Sequence, residues 1–135
     1  MKHKMDFHIY YQDTDAGGIV YHSNYLDYAE RARSELLFDM GVSNTILAEQ
    51  GLAFVLRQVH IDYRKPARLD DLLTVETVVI GMKNASMEME QTFFKDDDVL
   101  VVIRLQLAFV NPNNLRPIRI PDTLKELFLK YYKES

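Results

Sequence analysis

The chain has no cysteine. That absence removes disulfides, thiolate metal sites and cysteine nucleophiles together, and it leaves the compartment undecided by cysteine usage. Long apolar runs are lacking too: the longest unbroken aliphatic stretch, Val99 to Ile103, falls far short of the ~20 residues that cross a bilayer as a helix. Met1-Lys2-His3-Lys4 leads into alternating sequence instead of a continuous apolar segment, so no secretory signal is read and a cytoplasmic protein is expected. Nor is positive charge in excess. With 16 Lys and Arg against 20 Asp and Glu the net charge is −4, and the cations are scattered among acids. This disfavours a nucleic-acid binder, whose affinity rests on neutralising phosphates. A few local cations could still hold one phosphorylated ligand.

What is present is a chain of 135 residues, 47% apolar and 27% charged, the profile of one globular domain spanning residues 1–135. Met5 to Gln12 reads as a short strand, ended by the polar Asp13-Thr14-Asp15 and the turn-forming Ala16-Gly17-Gly18. From Ser23 the period changes. Tyr25, Ala29, Ala32, Leu36 and Met40 recur at helical spacing, which predicts a helix over Ser23–Met40, capped by Ser23 or Asn24 and stopped by Gly41.

After a short helical segment at Thr45–Gln50, strand signals dominate: Phe54–Tyr63, Leu72–Ile80, Ser86–Lys95 and Val99–Val110. The short turns between the last three argue for an antiparallel meander, because parallel crossovers need about a dozen residues. Leu124, Leu127, Phe128 and Tyr131 make an amphipathic C-terminal helix opened by Pro121-Asp122. One long helix with a wide apolar stripe and five to six strands predict an α+β fold in which an antiparallel sheet curls round the helix. Partly apolar sheet edges predict a homo-oligomer.

The densest group of reactive side chains lies between the first strand and the long helix, from Tyr10 to Tyr25. It holds Tyr11, Asp13, Asp15, two glycines, Tyr21, His22 and Asn24. A helix start exposes unpaired N–H groups and a partial positive charge suited to an oxyanion. Glycines let a substrate approach the main chain. Asp15, seven residues before His22, could face the same carbonyl. The same residues also allow plainer readings. Asp13 and Asp15 are good turn formers, His22 could sit at a helix start with no chemical duty, and an EF-hand loop fails at Gly17 and Asn24.

Other candidates are weaker. His60 reads as a strand residue in contact with solvent or a hydrogen-bond partner, and His3 and His8 lack zinc-binding spacing. Met82, Met87 and Met89 read as core or interface filler. Asp96 to Asp98 reads as a solvated hairpin tip. There is no serine elbow, P-loop or dinucleotide fingerprint, and no metal or cofactor site is read.

The stretch Tyr10-Tyr11-Gln12-Asp13-Thr14-Asp15-Ala16-Gly17-Gly18-Ile19-Val20-Tyr21-His22-Ser23-Asn24-Tyr25, followed by Glu30-Arg31-Ala32-Arg33 and later by Asp62 to Leu72, resembles the signature of the 4-hydroxybenzoyl-CoA thioesterase family. More narrowly it is similar to the YbgC-like, Tol-Pal-associated acyl-CoA thioesterase branch. The resemblance implies a hot-dog fold that assembles as dimers or dimers of dimers (a homotetramer). It also implies Asp15 as the catalytic carboxylate, with a backbone N–H near His22 polarising the thioester carbonyl and Tyr11 and His22 associated with activity.

On that footing the expected reaction is hydrolysis of an acyl-CoA to free acid and CoA. CoA is then part of the substrate, no cofactor is needed, and Arg64, Lys65, Arg68 and Lys83 are candidates to meet its phosphates. Asp15 could attack the thioester and form a mixed anhydride, or deprotonate water. A non-catalytic module binding acyl-CoA or acyl-carrier protein is the alternative. A hot-dog dehydratase is a third reading, whose expected histidine-and-acid motif is not found.

Overall fold

The apolar residues at helical spacing form α1 (Asn24–Asp39) in the computed structural model, which describes residues 1–134. Tyr25, Tyr28, Ala29, Ala32, Leu36 and Leu37 are its buried side, each large side chain contributing about 1.5–3 kcal/mol by leaving water. The helix stops as expected at Gly41, where the N–H groups of Gly41 and Val42 return to the carbonyls of Phe38 and Leu37, both at 2.9 Å. Its start differs from expectation. Ser23 occupies the N-cap without a side-chain bond, and the Asn24 amide instead donates to the Asp13 carbonyl at 2.8 Å.

Five strands wrap this helix: β1 (His3–His8), β2 (Ala53–Tyr63), β3 (Leu72–Met82), β4 (Ser86–Lys95) and β5 (Asp98–Val110). They form one sheet in the order β1-β3-β4-β5-β2, antiparallel throughout. The meander β3-β4-β5 is central. Register shifts interrupt β2 between Leu56 and Gln58, β3 between Val79 and Gly81, and β4 against β5 at Phe93/Phe94. Such bulges increase twist and let a sheet curl. Alternate residues such as Val75, Met89, Phe93, Ile103 and Phe109 point at α1 and are buried. Met87 joins them in the core.

The first strand ends earlier than the sequence suggests. Past His8, Ile9 exchanges bonds with the loop, its N–H going to the Asp71 carbonyl and its own carbonyl accepting from Asp70. The Tyr10 N–H then donates to the Asp13 carboxylate at 2.8 Å. A side-chain acceptor three residues ahead competes with the ladder, and Tyr11–Asp13 turns as a single 3-10 helix.

Between α1 and β2 lies α2 (Asn44–Glu49), and α3 (Asp122–Leu129) closes one end of the core with Leu124 and Phe128. Gln91 of β4 is wholly buried beneath α1. Its amide nitrogen donates to the Ala29 carbonyl at 2.9 Å and to Thr77 Oγ1 at 3.1 Å, while its oxygen accepts from Arg33 at 3.0 Å. This ties helix to sheet through satisfied polar groups.

β2 is an edge strand. Leu56, Val59 and Tyr63 pair with Leu107, Leu105 and Val101, whose side chains face the core, yet they are 41%, 40% and 47% exposed. Among the described residues no helix is long and apolar enough to cross a membrane.

Candidate active site

The junction between β1 and α1 is a tight hairpin. Asp15 and Ile19 pair through Asp15 N–H to Ile19 O at 2.9 Å, Tyr21 N–H donates to Asp13 O at 3.1 Å, and Thr14 bridges Val20. The turn closes with Gly18 N–H on Asp15 O at 3.0 Å, and Gly18 has φ +76°, a conformation that a side chain would strain. The return arm is zipped to the loop after β2: Val20 N–H meets Ala67 O at 2.9 Å and Leu69 N–H meets Gly18 O at 3.0 Å. Asp15 thus sits at the hairpin tip, and His22 follows the return arm at the start of α1.

The two aspartates do different things. Asp13 is buried, and its carboxylate is used to cap Tyr10; the turn-forming reading describes it fully. Asp15 is exposed. Its Oδ1 accepts from Gly17 N–H at 2.8 Å and Ile19 N–H at 3.3 Å, while Oδ2 has no partner among the described residues. Gly17 eases the close wrap, since a Cβ there would lie 3.3 Å from Asp15 Oδ1 and press on it. One carboxylate oxygen is therefore fixed by the loop and the other is free.

At the helix start the N–H groups of His22 and Ser23 find no acceptor among the described residues, so the positive end of α1 is open. The His22 ring is exposed, lies against Tyr21 with centroids 4.6 Å apart and meets Tyr63 edge-on at 6.4 Å. The Tyr63 hydroxyl donates to the His22 carbonyl at 3.0 Å. Beside them is a depression of about 300 Å³ lined by Ile19, Val20, His22, Tyr25, Tyr63 and Lys65 among others. Tyr25 braces it from beneath by accepting Ala67 N–H at 3.2 Å. Burial raises the pKa of Tyr25. Burial and the nearby Asp13 carboxylate together raise that of Tyr28. Both phenols are therefore neutral packing groups.

A thioesterase-like superfamily model matches residues 10–128. The chain belongs to that superfamily. Within the thioesterase-like superfamily, the acyl-CoA thioesterase YbgC of Haemophilus influenzae is 42% identical over 121 residues, 89% of this chain and 89% of the relative. The acyl-CoA thioester hydrolase YbgC of Escherichia coli is 37% identical over 123 residues, 86% and 87% of the two chains. Among solved structures, a probable thioesterase from Bartonella henselae superposes with a TM-score of 0.84 at 37% identity, covering 90% of this chain and 100% of that one. The α+β hot-dog architecture expected from the sequence is the one observed, with five strands and the C-terminal helix.

Of the residues singled out in the sequence, the structure sets Asp15 and His22 at opposite ends of one hairpin arm. Tyr11 stands apart: its side chain is 83% exposed and makes no hydrogen bond or ring contact among the described residues. Arg64 and Lys65 flank the depression but are engaged by Asp62 at 2.9 Å and Asp98 at 3.4 Å. The side chains of Arg68 and Lys83 have no ion-pair partner among the described residues. His60 faces solvent opposite Arg104, and His3 is buried against Asp39 at 2.7 Å. Sequence reasoning missed Tyr63. Its only signal was an aromatic residue ending a strand on the apolar side of the alternation.

Proposed function

We propose that this chain hydrolyses acyl-CoA thioesters to free acid and CoA, with Asp15 acting on the acyl carbon and the N–H groups at His22 receiving the carbonyl oxygen. The observation that carries this reading is the hairpin from Asp13 to Tyr21, which presents a carboxylate with one free oxygen at its tip and leads on its return arm into an uncapped helix start. Relatives named as acyl-CoA thioesterases, aligned over nearly the whole chain, supply the substrate class. The free oxygen attacks the acyl carbon, the C–S bond breaks, and CoA leaves as a thiolate. Water then hydrolyses the mixed anhydride and restores the carboxylate. General-base activation of water requires an environment that raises carboxylate basicity, and the exposed setting of Asp15 favours direct attack instead. Tyr11 and His22 orient substrate or water in this proposal.

No cofactor enters the reaction, and a cytoplasmic setting belongs to the same reading. The helix-side faces of Leu56, Val59 and Tyr63 on the open edge support a dimer, with a dimer of dimers as the larger assembly. Lys65 and Arg64 at the rim of the depression and Arg68 beside Ile19 are the cations offered to CoA phosphates, whereas Lys83 lies in the β3–β4 turn at the opposite end of the sheet. Purified protein is incubated with short-, medium- and long-chain acyl-CoAs and a thiol reagent. Release of CoA from at least one chain length is expected, and no release from any would leave the binding-module reading in its place.

A further inference from the structure

A cavity of about 410 Å³ lies beside the middle of α1, away from the hairpin, with Leu52, Phe54, Leu56 and Phe128 among its apolar walls. Two charged side chains also line it, Arg33 and Glu30. Arg33 is half-buried, and its one side-chain hydrogen bond among the described residues runs from Nη1 to the neutral oxygen of Gln91 at 3.0 Å. Among the described residues no carboxylate pairs with it. Burial lowers its pKa, and the more distant Glu30 acts in the opposite sense. The cavity wall is mixed, with Ser34 and Asn44 beside the two charged residues, but a cation held inward by a buried glutamine, with its other N–H groups unclaimed, stands out in it, because buried charge costs free energy until it is paired.

The cavity is in line with the depression at the helix start. Tyr63 at one end of β2 touches His22 and Tyr25, while Phe54 and Leu56 near the other end line the cavity together with Arg33. β2 therefore runs alongside α1 from one site to the other, with the half-exposed Val59 between them. Asn24 and Arg33 are separated by about 14 Å of helix at the usual rise per residue. A thioester carbonyl at the helix start would send a medium-length acyl chain along this strip, beneath the second copy that covers it in the proposed dimer, and bring its far end to the guanidinium.

We propose that Arg33 recognises a carboxylate at the distal end of the acyl group, making the cavity selective for medium-chain α,ω-dicarboxylic acyl thioesters over monocarboxylic ones of the same length. The proposal rests on the thioesterase reading for its substrate and on the cavity alone for its selectivity. A guanidinium offers a paired fork of donors to a carboxylate. Glu30 is the one acidic residue on the described cavity wall and is exposed, so it opposes such a ligand from the rim.

The test compares kcat/KM for suberoyl-CoA and octanoyl-CoA in the full chain, with suberate and octanoate binding measured in parallel by calorimetry. The wild-type protein should prefer suberoyl-CoA by about tenfold, the scale of one charge-assisted hydrogen bond. Arg33→Met should bring the ratio to one or below, and Glu30→Gln should raise it. If Arg33→Met does not fold, Arg33→Lys should lower the ratio and Glu30→Gln should still raise it; ratios unchanged in both overturn the proposal. Equal or better turnover of octanoyl-CoA by the wild type also overturns it, as does an equal loss on both substrates in Arg33→Met. That is what a partner subunit's side chain filling the cavity would produce, and the thioesterase reading would survive. If neither thioester is hydrolysed, that reading fails, and calorimetry decides the cavity separately: Arg33-dependent binding of suberate supports the assignment and its absence overturns it.

Discussion

Asp15 is oriented by its own loop. Two backbone donors, from Gly17 and Ile19, fix one carboxylate oxygen, and Gly18 supplies the positive φ that lets the chain return. A Cβ at Gly18 would meet nothing within 4 Å, so Gly18→Ala isolates backbone strain from steric clash. A loss of about 1–2 kcal/mol is expected from the left-handed conformation alone, read as a shift of the urea midpoint, together with a lower turnover because the hairpin orients the carboxylate. A variant as stable as the parent would show that the turn relaxes without strain. From sequence, Asp13 and Asp15 were equivalent turn formers beside glycine. Folding separates them, because Asp13 turns inward to cap Tyr10 whereas Asp15 is carried to the tip. That Asp15 and His22 share one short segment is legible because a seven-residue separation is local. Tyr63 is not, since it reaches His22 from 41 residues away.

The helical spacing places α1 within a residue at each end, as its apolar pattern is a local signal matched by the sheet that covers it. What holds it in place was hidden. Gln91 lies 62 residues from Ala29 and 58 from Arg33, and in sequence it is a polar residue in an alternating strand, indistinguishable from one facing solvent. Gln91→Leu keeps the volume roughly constant and removes all three hydrogen bonds, leaving the half-buried guanidinium of Arg33 without its acceptor. A loss of about 1–3 kcal/mol is expected, measured as a lower midpoint in chemical unfolding with the slope retained. An unchanged midpoint would mean that apolar packing alone sets the docking of α1. The end of β1 differs from its propensity for a related reason: Ile9 and Tyr10 favour a strand, but the Asp70–Asp71 loop and a side-chain acceptor claim their backbone.

For the molecule as a whole, the unfinished feature is the β2 edge. Leu56, Val59 and Tyr63 face the helix side of the sheet but are only partly covered, and a single chain leaves the remaining apolar surface in water at a cost of about 25 cal/mol per Å². In the proposed dimer a second copy covers them. Val59→Glu places a charge in that surface and should shift the mass by light scattering from dimer to monomer, whereas a wild-type protein that is already monomeric would remove the assembly from the proposal. The general architecture is legible because one long helix and five strand-rich segments leave few ways to bury an apolar stripe; which strand is left at the open edge is not.

The role of Asp15 is tested most directly by the steady-state rate of Asp15→Asn on an acyl-CoA that the wild-type protein hydrolyses. The substitution retains an oxygen able to accept from Gly17 and Ile19 and removes the negative charge. A fall in kcat of about a hundredfold or more is expected, with far-ultraviolet circular dichroism and melting temperature unchanged. A variant that keeps a near wild-type kcat would contradict the assignment.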